Sequence, residues 1–284
     1  MNAHELAWKW EAHLPLVTDL AKQASLIRRL TAKLAKPEGY EGLKKVERDL
    51  DKLAATSCPD AELQAATQQL VAEVRAWLDL EWDRRRLAVG QELIAAFDDA
   101  GIPLEERGGA LYRFPLTIHL DPRTDSASLL HAGEVANEKR IPLATQRVFA
   151  AWDATRAQLA RNQTDPDLMV GLLEAAYNEQ LAVEAKPAGA RVRLPDLHFR
   201  AFVHRQTAAV RKDPRKGRVK PYPRYQFAWD LGLLLAQDEP VTTRSGLRIE
   251  LIEASESASR SAATSLLVEH QDGRVVSYGA LRIL

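Results

Sequence analysis

Eight basic residues fall within one short stretch: Arg205, Arg211, Lys212, Arg215, Lys216, Arg218, Lys220 and Arg224, with Asp213 as the only acid among them. Over the whole 284-residue chain, 39 Lys and Arg balance 39 Asp and Glu. Overall charge therefore says nothing for nucleic acid or a membrane surface, and this one stretch concentrates the positive excess. Pro214, Gly217, Pro221 and Pro223 keep it from being a regular helix, and Tyr222 and Tyr225 place rings among the charges. A basic loop with aromatics suits phosphate backbones and stacked bases. Arginine adds forked hydrogen bonds that phosphate accepts. The expected assignment puts Arg205, Arg211, Lys212, Arg215, Lys216, Arg218, Lys220 and Arg224 near phosphates, with Tyr222 stacking. Two other roles compete. The cations can pair with acids of the same chain, such as Asp79, Glu81 and Asp83, or Glu250, Glu253 and Glu256. Tyr222 and Tyr225 can equally anchor the apolar helix that follows.

Other chemistries find little support in the spacing. Gly108-Gly109 is too short for a phosphate loop, and there is no dinucleotide fingerprint. No two of the seven histidines stand three or four residues apart, so no metal-binding pair is expected on one helix face. His119 and His131 fall on the two strands of an expected hairpin, within reach of each other or simply facing solvent. A metal-dependent nuclease would have to gather carboxylates from separate segments, such as Asp121, Glu134 and Glu250, without the acid-x-lysine element. No serine stands in a nucleophile elbow. Cys58, the only cysteine, reads as a loop thiol and implies no disulfide. No cofactor is expected.

The elements that must position these residues change character along the chain. In the first hundred residues, Leu16, Leu20, Ile27, Leu30 and Leu34 form a heptad-like seam with Gln23 in one position. Pro37 and Gly39 end that helix. A second begins near Glu41, with Leu43, Val46, Leu50 and Leu53 on one face. A third is expected from about Ala61 to Ala100, with a stripe of Leu63, Leu70, Val74, Trp77, Leu80, Leu87, Ile94 and Phe97, stopped by Gly101 and Pro103. Period-two residues from Leu111 to Leu120 predict a strand, returning over Ala127 to Val135. A helix after Pro142 should bury Val148, Trp152, Thr155 and Leu159. Another should start at Pro166, capped by Asp165 or Thr164. Arg191 to Val203 is expected to be extended. A helix follows over Tyr225 to Leu235, with Phe227, Leu231, Leu234 and Leu235 on one face and Trp229 off it. Leu247 to Ile252 predicts a strand, and Leu266 to Glu269 pairs with Val275 to Tyr278 through a two-residue turn at Asp272-Gly273.

The expected architecture is α+β, with a long-helix region over 1–100 and a mixed domain over 101–284 holding the basic loop at 205–224. The clumped order of strands and helices argues against a doubly wound nucleotide-binding fold. No stretch approaches 18 uncharged apolar residues and the N-terminus lacks the apolar core of a signal peptide, so a cytoplasmic protein is expected. The expected function is a non-catalytic accessory subunit that binds nucleic acid through the loop and a protein partner, or a second copy of itself, through the helices. A prokaryotic DNA-handling or antiviral defence assembly is the natural setting. The alternatives are a metal-dependent nuclease or hydrolase and a self-associating helical scaffold.

Overall fold

The computed structural model describes the backbone of residues 3–35, 39–56, 61–137, 139–237, 239–270 and 272–284, and side chains from residue 18 onward within those ranges except that of Lys216. The side chain of Leu16, and Pro37 and Cys58 altogether, lie outside the described residues. The chain is α+β: a helical N-terminal region followed by antiparallel sheets and further helices. It divides into two compact units, Met1–Leu93 with Leu120–Ser126, and Ile94–His119 with Ala127–Leu284.

The first unit is built on α1 (Ala3–Leu34), α2 (Gly39–Ala54) and α3 (Ala61–Asp99). Leu26 and Leu30 of α1 bury against Leu43, Val46, Leu50 and Leu53 of α2 and Val71, Val74, Leu78 and Trp82 of α3. Lys33 pairs with buried Asp49, and Tyr40 packs on Trp82 near the far end of α2. These pairs run the three helices alternately up and down. Gln23, the polar residue in the α1 seam, is buried and donates to Thr67 Oγ1 at 2.7 Å. That bond satisfies Nε2, while Oε1 is buried with no hydrogen-bond partner among the described residues. The buried face of α3 differs from the expected stripe. Leu80 and Leu87 are 59% and 56% exposed, while Val71, Leu78, Trp82, Val89 and Leu93 are inside. A 39-residue helix with apolar residues on two sides offers two stripes, and only the packing of α1 and α2 selects one. Arg123 and Asp125, in the 120–126 turn, belong with these helices through Asp79 and Arg85.

Gly101 ends α3. Its φ is 72°, and Ile102 N donates to Phe97 O at 2.9 Å. This is the glycine-terminated closure expected at a helix C-terminus.

The second unit holds most of a sheet in which β1 (Glu105–Arg107), β2 (Ala110–Arg113), β3 (Leu116–Asp121), β4 (Ser126–His131) and β5 (Glu134–Val135) follow one another in antiparallel order, with β6 (Ile141–Pro142) on β4. The single strand expected over Leu111 to Leu120 is instead β2 and β3, with the chain reversing at Phe114-Pro115, where proline has no N–H for a ladder. The returning strand likewise breaks into β4 and β5 at Ala132-Gly133, both at positive φ.

Helices α4 (Thr145–Arg161) and α5 (Pro166–Val183) follow. α4 buries Val148, Trp152, Thr155 and Leu159 as its spacing predicts. Asp165 caps α5, accepting from the N–H groups of Asp167 and Leu168. Arg191 to Val203 is not extended: only β7 (Val192–Arg193) is strand, and α6 (Leu194–His204) follows at once. Pro195 sits in the first turn of α6, where a missing N–H costs nothing, so it starts the helix instead of marking an edge strand.

The chain then forms α7 (Ala208–Lys212), α8 (Arg224–Leu235), β8 (Ile249–Glu253), α9 (Glu256–Ser259), β9 (Leu266–Glu269) and β10 (Val275–Ile283). β10 pairs with β7, β8 and β9. His270 N donates to Arg274 O at 2.8 Å, so the β9–β10 hairpin closes across three residues, with Gly273 at φ 78°, and not across two. The core of this unit gathers Met169, Leu173, Leu197, Phe227, Leu231, Val268 and Leu281. α8 lies close on β9: a Cβ on Gly232 would stand 2.5 Å from Glu269 O. Any side chain there would push the helix off the strand.

β9 also carries a buried carboxyl. Tyr112 OH donates to Glu269, and His131 Nδ1 donates to Pro115 O at 2.8 Å. Burial holds His131 below the usual imidazole range, so it is neutral and its 3.5 Å approach to Glu269 is no ion pair. Burial pushes Glu269 from 4.5 to about 7, against the opposing pull of the Tyr112 hydroxyl and Arg107. The folded chain thus holds this proton more tightly than the unfolded chain. The corresponding stability is fully present below pH 4.5 and is lost as pH rises through about 7. At pH 8 the loss reaches at most about 3 kcal/mol. In urea titrations at pH 4.5 and 8, the Glu269→Gln protein should lose less stability on going to pH 8 than the parent does. Equal losses in the two proteins would show that Glu269 is not held protonated.

Candidate nucleic-acid interface

The basic stretch is anchored from beneath. The Thr207 side chain caps α7 by accepting from Val210 N, and Val210 is buried while Arg211 and Lys212 point outward. The chain next makes a short 3₁₀ turn, Pro214–Lys216, capped by Asp213. It then runs extended to α8. Buried Gln206 clamps that run: its Nε2 donates to Lys220 O at 2.9 Å and its Oε1 accepts from Lys220 N at 2.8 Å. An amide has the one donor and one acceptor that a strand edge needs, so Gln206 fixes the Lys220 backbone without touching its ammonium group.

The nine residues proposed from the sequence separate into two groups. Arg211, Lys212, Arg218 and Lys220 are exposed, and their side chains make no ion pair within the described residues. Arg215 is also exposed, at 91% of its side chain, but its Nε donates to Asp213 at 3.1 Å. The side chain of Lys216 lies outside the described residues. The other three are built into the fold. Arg224 donates to Ala262 O and Ser265 O and lies 3.0 Å from Glu134. Arg205 donates to Asn162 O at 2.8 Å, with its guanidinium 4.2 Å above the Tyr222 ring. Tyr222 is only 3% exposed.

Tyr222 therefore corrects the stacking expectation: it has no open face to offer a base. Its OH donates to Asp230 Oδ2 at 2.7 Å, and its ring packs edge-on against Phe227. Asp230 is fully buried and also accepts from Thr164 N, Thr164 Oγ1 and Gln226 Nε2. Burial raises its pKa, while these hydrogen bonds pull the other way. The polar cluster ties α8 to the turn before α5 and holds Arg205 in place from below. Sequence spacing could not reveal it, because Thr164 and Arg205 lie far in the chain from the Tyr222–Asp230 pair and meet it only in the folded state.

Above this cluster opens a cleft of about 610 Å³. The end of α4 and the turn after it supply Gln158, Arg161, Asn162 and Gln163, while Arg205, Lys220 and Tyr225 face them from the other elements. No carboxylate is among its lining residues. Arg161, exposed and outside the basic stretch, is a cation that sequence inspection missed. Its only signal was its place in the last turn of a helix.

Most of the acids that might have neutralised the loop are engaged elsewhere; Glu256 pairs with Arg260, while Glu253 makes no ion pair within the described residues. Asp79 pairs with Arg123, Glu81 with Arg84, Asp83 with Arg86, and Glu250 with Arg282. The carboxylates considered for a nuclease are also divided. Asp121 caps its own turn through Thr124, Glu134 meets Arg224, and Glu250 holds Arg282. No group of three His, Cys, Asp or Glu placed to hold a metal ion occurs among the described residues. His119 is exposed and His131 buried, so the two do not form a site. No described helix is long and apolar enough to cross a membrane.

No family model, curated protein or solved structure matches this chain.

Proposed function

We propose that this protein is a non-catalytic subunit that binds nucleic acid through the face formed by α7, the following loop and the cleft beside α4. One observation carries the reading: Arg211, Lys212, Arg218 and Lys220 stand exposed without an internal ion pair within the described residues, and Lys220 lines a cleft that also holds Arg161 and Arg205 and no carboxylate. Arg224 and Arg215, by contrast, are already bonded within the fold. Unpaired cations concentrated in one stretch attract a polyanion by releasing its counterions. Flexible cations of this kind read the backbone and leave base sequence largely unread.

The N-terminal helices would supply a protein contact. Leu80 and Leu87 stand two turns apart on α3 and are both exposed. They suit a partner helix or a second copy of the chain within a larger assembly that handles nucleic acid.

A titration of labelled oligonucleotides across salt tests the nucleic-acid reading. Binding should be strongest at low salt. Its affinity should fall by roughly 0.7 to 0.9 log units per log unit of salt for each phosphate contact. Absence of binding at low salt, where the attraction is greatest, would leave the helical scaffold as the better reading.

A further inference from the structure

The cleft beside the basic loop has properties that backbone attraction alone does not require. Its volume of about 610 Å³ is enough to admit a small molecule or a single nucleotide. Besides cations, it is lined by the carboxamides of Gln158, Asn162 and Gln163, whose side chains make no hydrogen bond within the described residues. Carboxamides present a donor and an acceptor side by side, the pattern that base edges complement. Tyr225, half-buried at the start of α8, adds an aromatic ring to the wall. Its neighbours Arg224 and Gln226 are fixed by hydrogen bonds to Ser265 O and Leu159 O, so the ring is carried on a rigid turn.

We propose that this cleft takes one nucleotide of an unpaired strand, with its base against Tyr225, its edge on the carboxamides and its phosphate on Arg161 and Lys220. The inference rests on the nucleic-acid reading above and makes it specific to single strands. Bases in a duplex are stacked and paired, and one could enter only after being flipped out at a cost in unpairing. An unpaired strand presents the base without that cost, and stacking on a tyrosine tolerates any base. The ring that serves is Tyr225, because Tyr222 is closed off by Arg205 and Asp230.

The test uses the full chain and a fluorescein-labelled fifteen-nucleotide probe, as a single strand and as a duplex, in DNA and in RNA. Anisotropy should show tighter binding of the single strand than of the duplex in at least one of the two sugars. Tyr225→Ala should weaken the single strand by roughly 5- to 150-fold and leave duplex affinity unchanged, while Tyr225→Phe, which keeps the ring, should bind as the parent does. Arg161→Ala and Gln163→Ala, both at exposed positions, decide the matter if Tyr225→Ala does not fold. Each should weaken the single strand more than the duplex. Equal affinity for the two probes, or losses that are equal on both, would overturn the nucleotide cleft while leaving backbone binding intact. Failure of both probes to bind at low salt would instead remove the nucleic-acid reading itself.

Discussion

Changing Arg211, Lys212, Arg218 and Lys220 together to alanine should lower nucleic-acid affinity at 0.1 M salt by about three decades. On the proposed reading each cation would neutralise one phosphate and release its condensed counterion, so four contacts would contribute roughly 3 units of slope in log affinity against log salt. The electrostatic part vanishes as salt approaches about 1 M, where parent and variant should converge. The fold should hardly notice. All four side chains are exposed, and the hydrogen bonds from Gln206 reach the Lys220 backbone and not its ammonium. Only Arg211 and Lys212, in the last turn of α7, give up a favourable position on a helix end, worth a few tenths of a kcal/mol. Anisotropy at several salt concentrations, with a thermal melt alongside, reads both quantities. The control is Arg215→Ala: its guanidinium is already bonded to Asp213, so its loss should change the slope less than any of the four. A quadruple variant with the parent's salt slope would mean that these cations do not meet phosphate.

The second large effect is structural and reaches the same face. Phe227→Ala should cost roughly 3–5 kcal/mol, because the ring is fully buried and its removal leaves a cavity as well as lost transfer energy. Phe227 packs against His198 and Tyr222 at ring separations of 5.2 and 5.7 Å. His198 Nε2 in turn donates to Tyr222 O at 2.7 Å. The ring thus supports the segment that carries Lys220 on one side and Tyr225 on the other. Urea unfolding should show the loss in the midpoint with little change in slope. Binding measured on the remaining folded protein should weaken too, since a cavity under Tyr222 loosens the floor of the cleft. An unchanged midpoint would mean that α8 is a docking surface and not part of the core.

The two outcomes separate easily. The loop variant loses salt-dependent binding at constant stability, whereas the core variant loses stability first. Neither depends on Glu269, whose buried proton on β9 is read through pH alone.

What the sequence by itself determined was local and periodic. The buried faces of α2 and α4 follow from apolar residues three and four apart, and the stop at Gly101 from the need for a positive φ after a helix. The concentration of cations from Arg205 to Arg224 is a matter of composition, and the α+β order follows from the change in period after residue 100. Everything that depended on partners distant in the chain was decided by tertiary structure. Leu80 and Leu78 are equally apolar, but only Leu78 meets the other helices. Pro195 falls in a segment expected to be extended, but it opens α6, which packs on α5. Tyr222 and Tyr225 are three residues apart and alike in sequence. Asp230, brought under Tyr222 by α8, closes one ring into the core, and the end of α4 leaves the other lining a cleft. A side chain's type sets what chemistry it can do; which neighbours surround it sets whether that chemistry faces solvent, and those neighbours are assembled only by the fold.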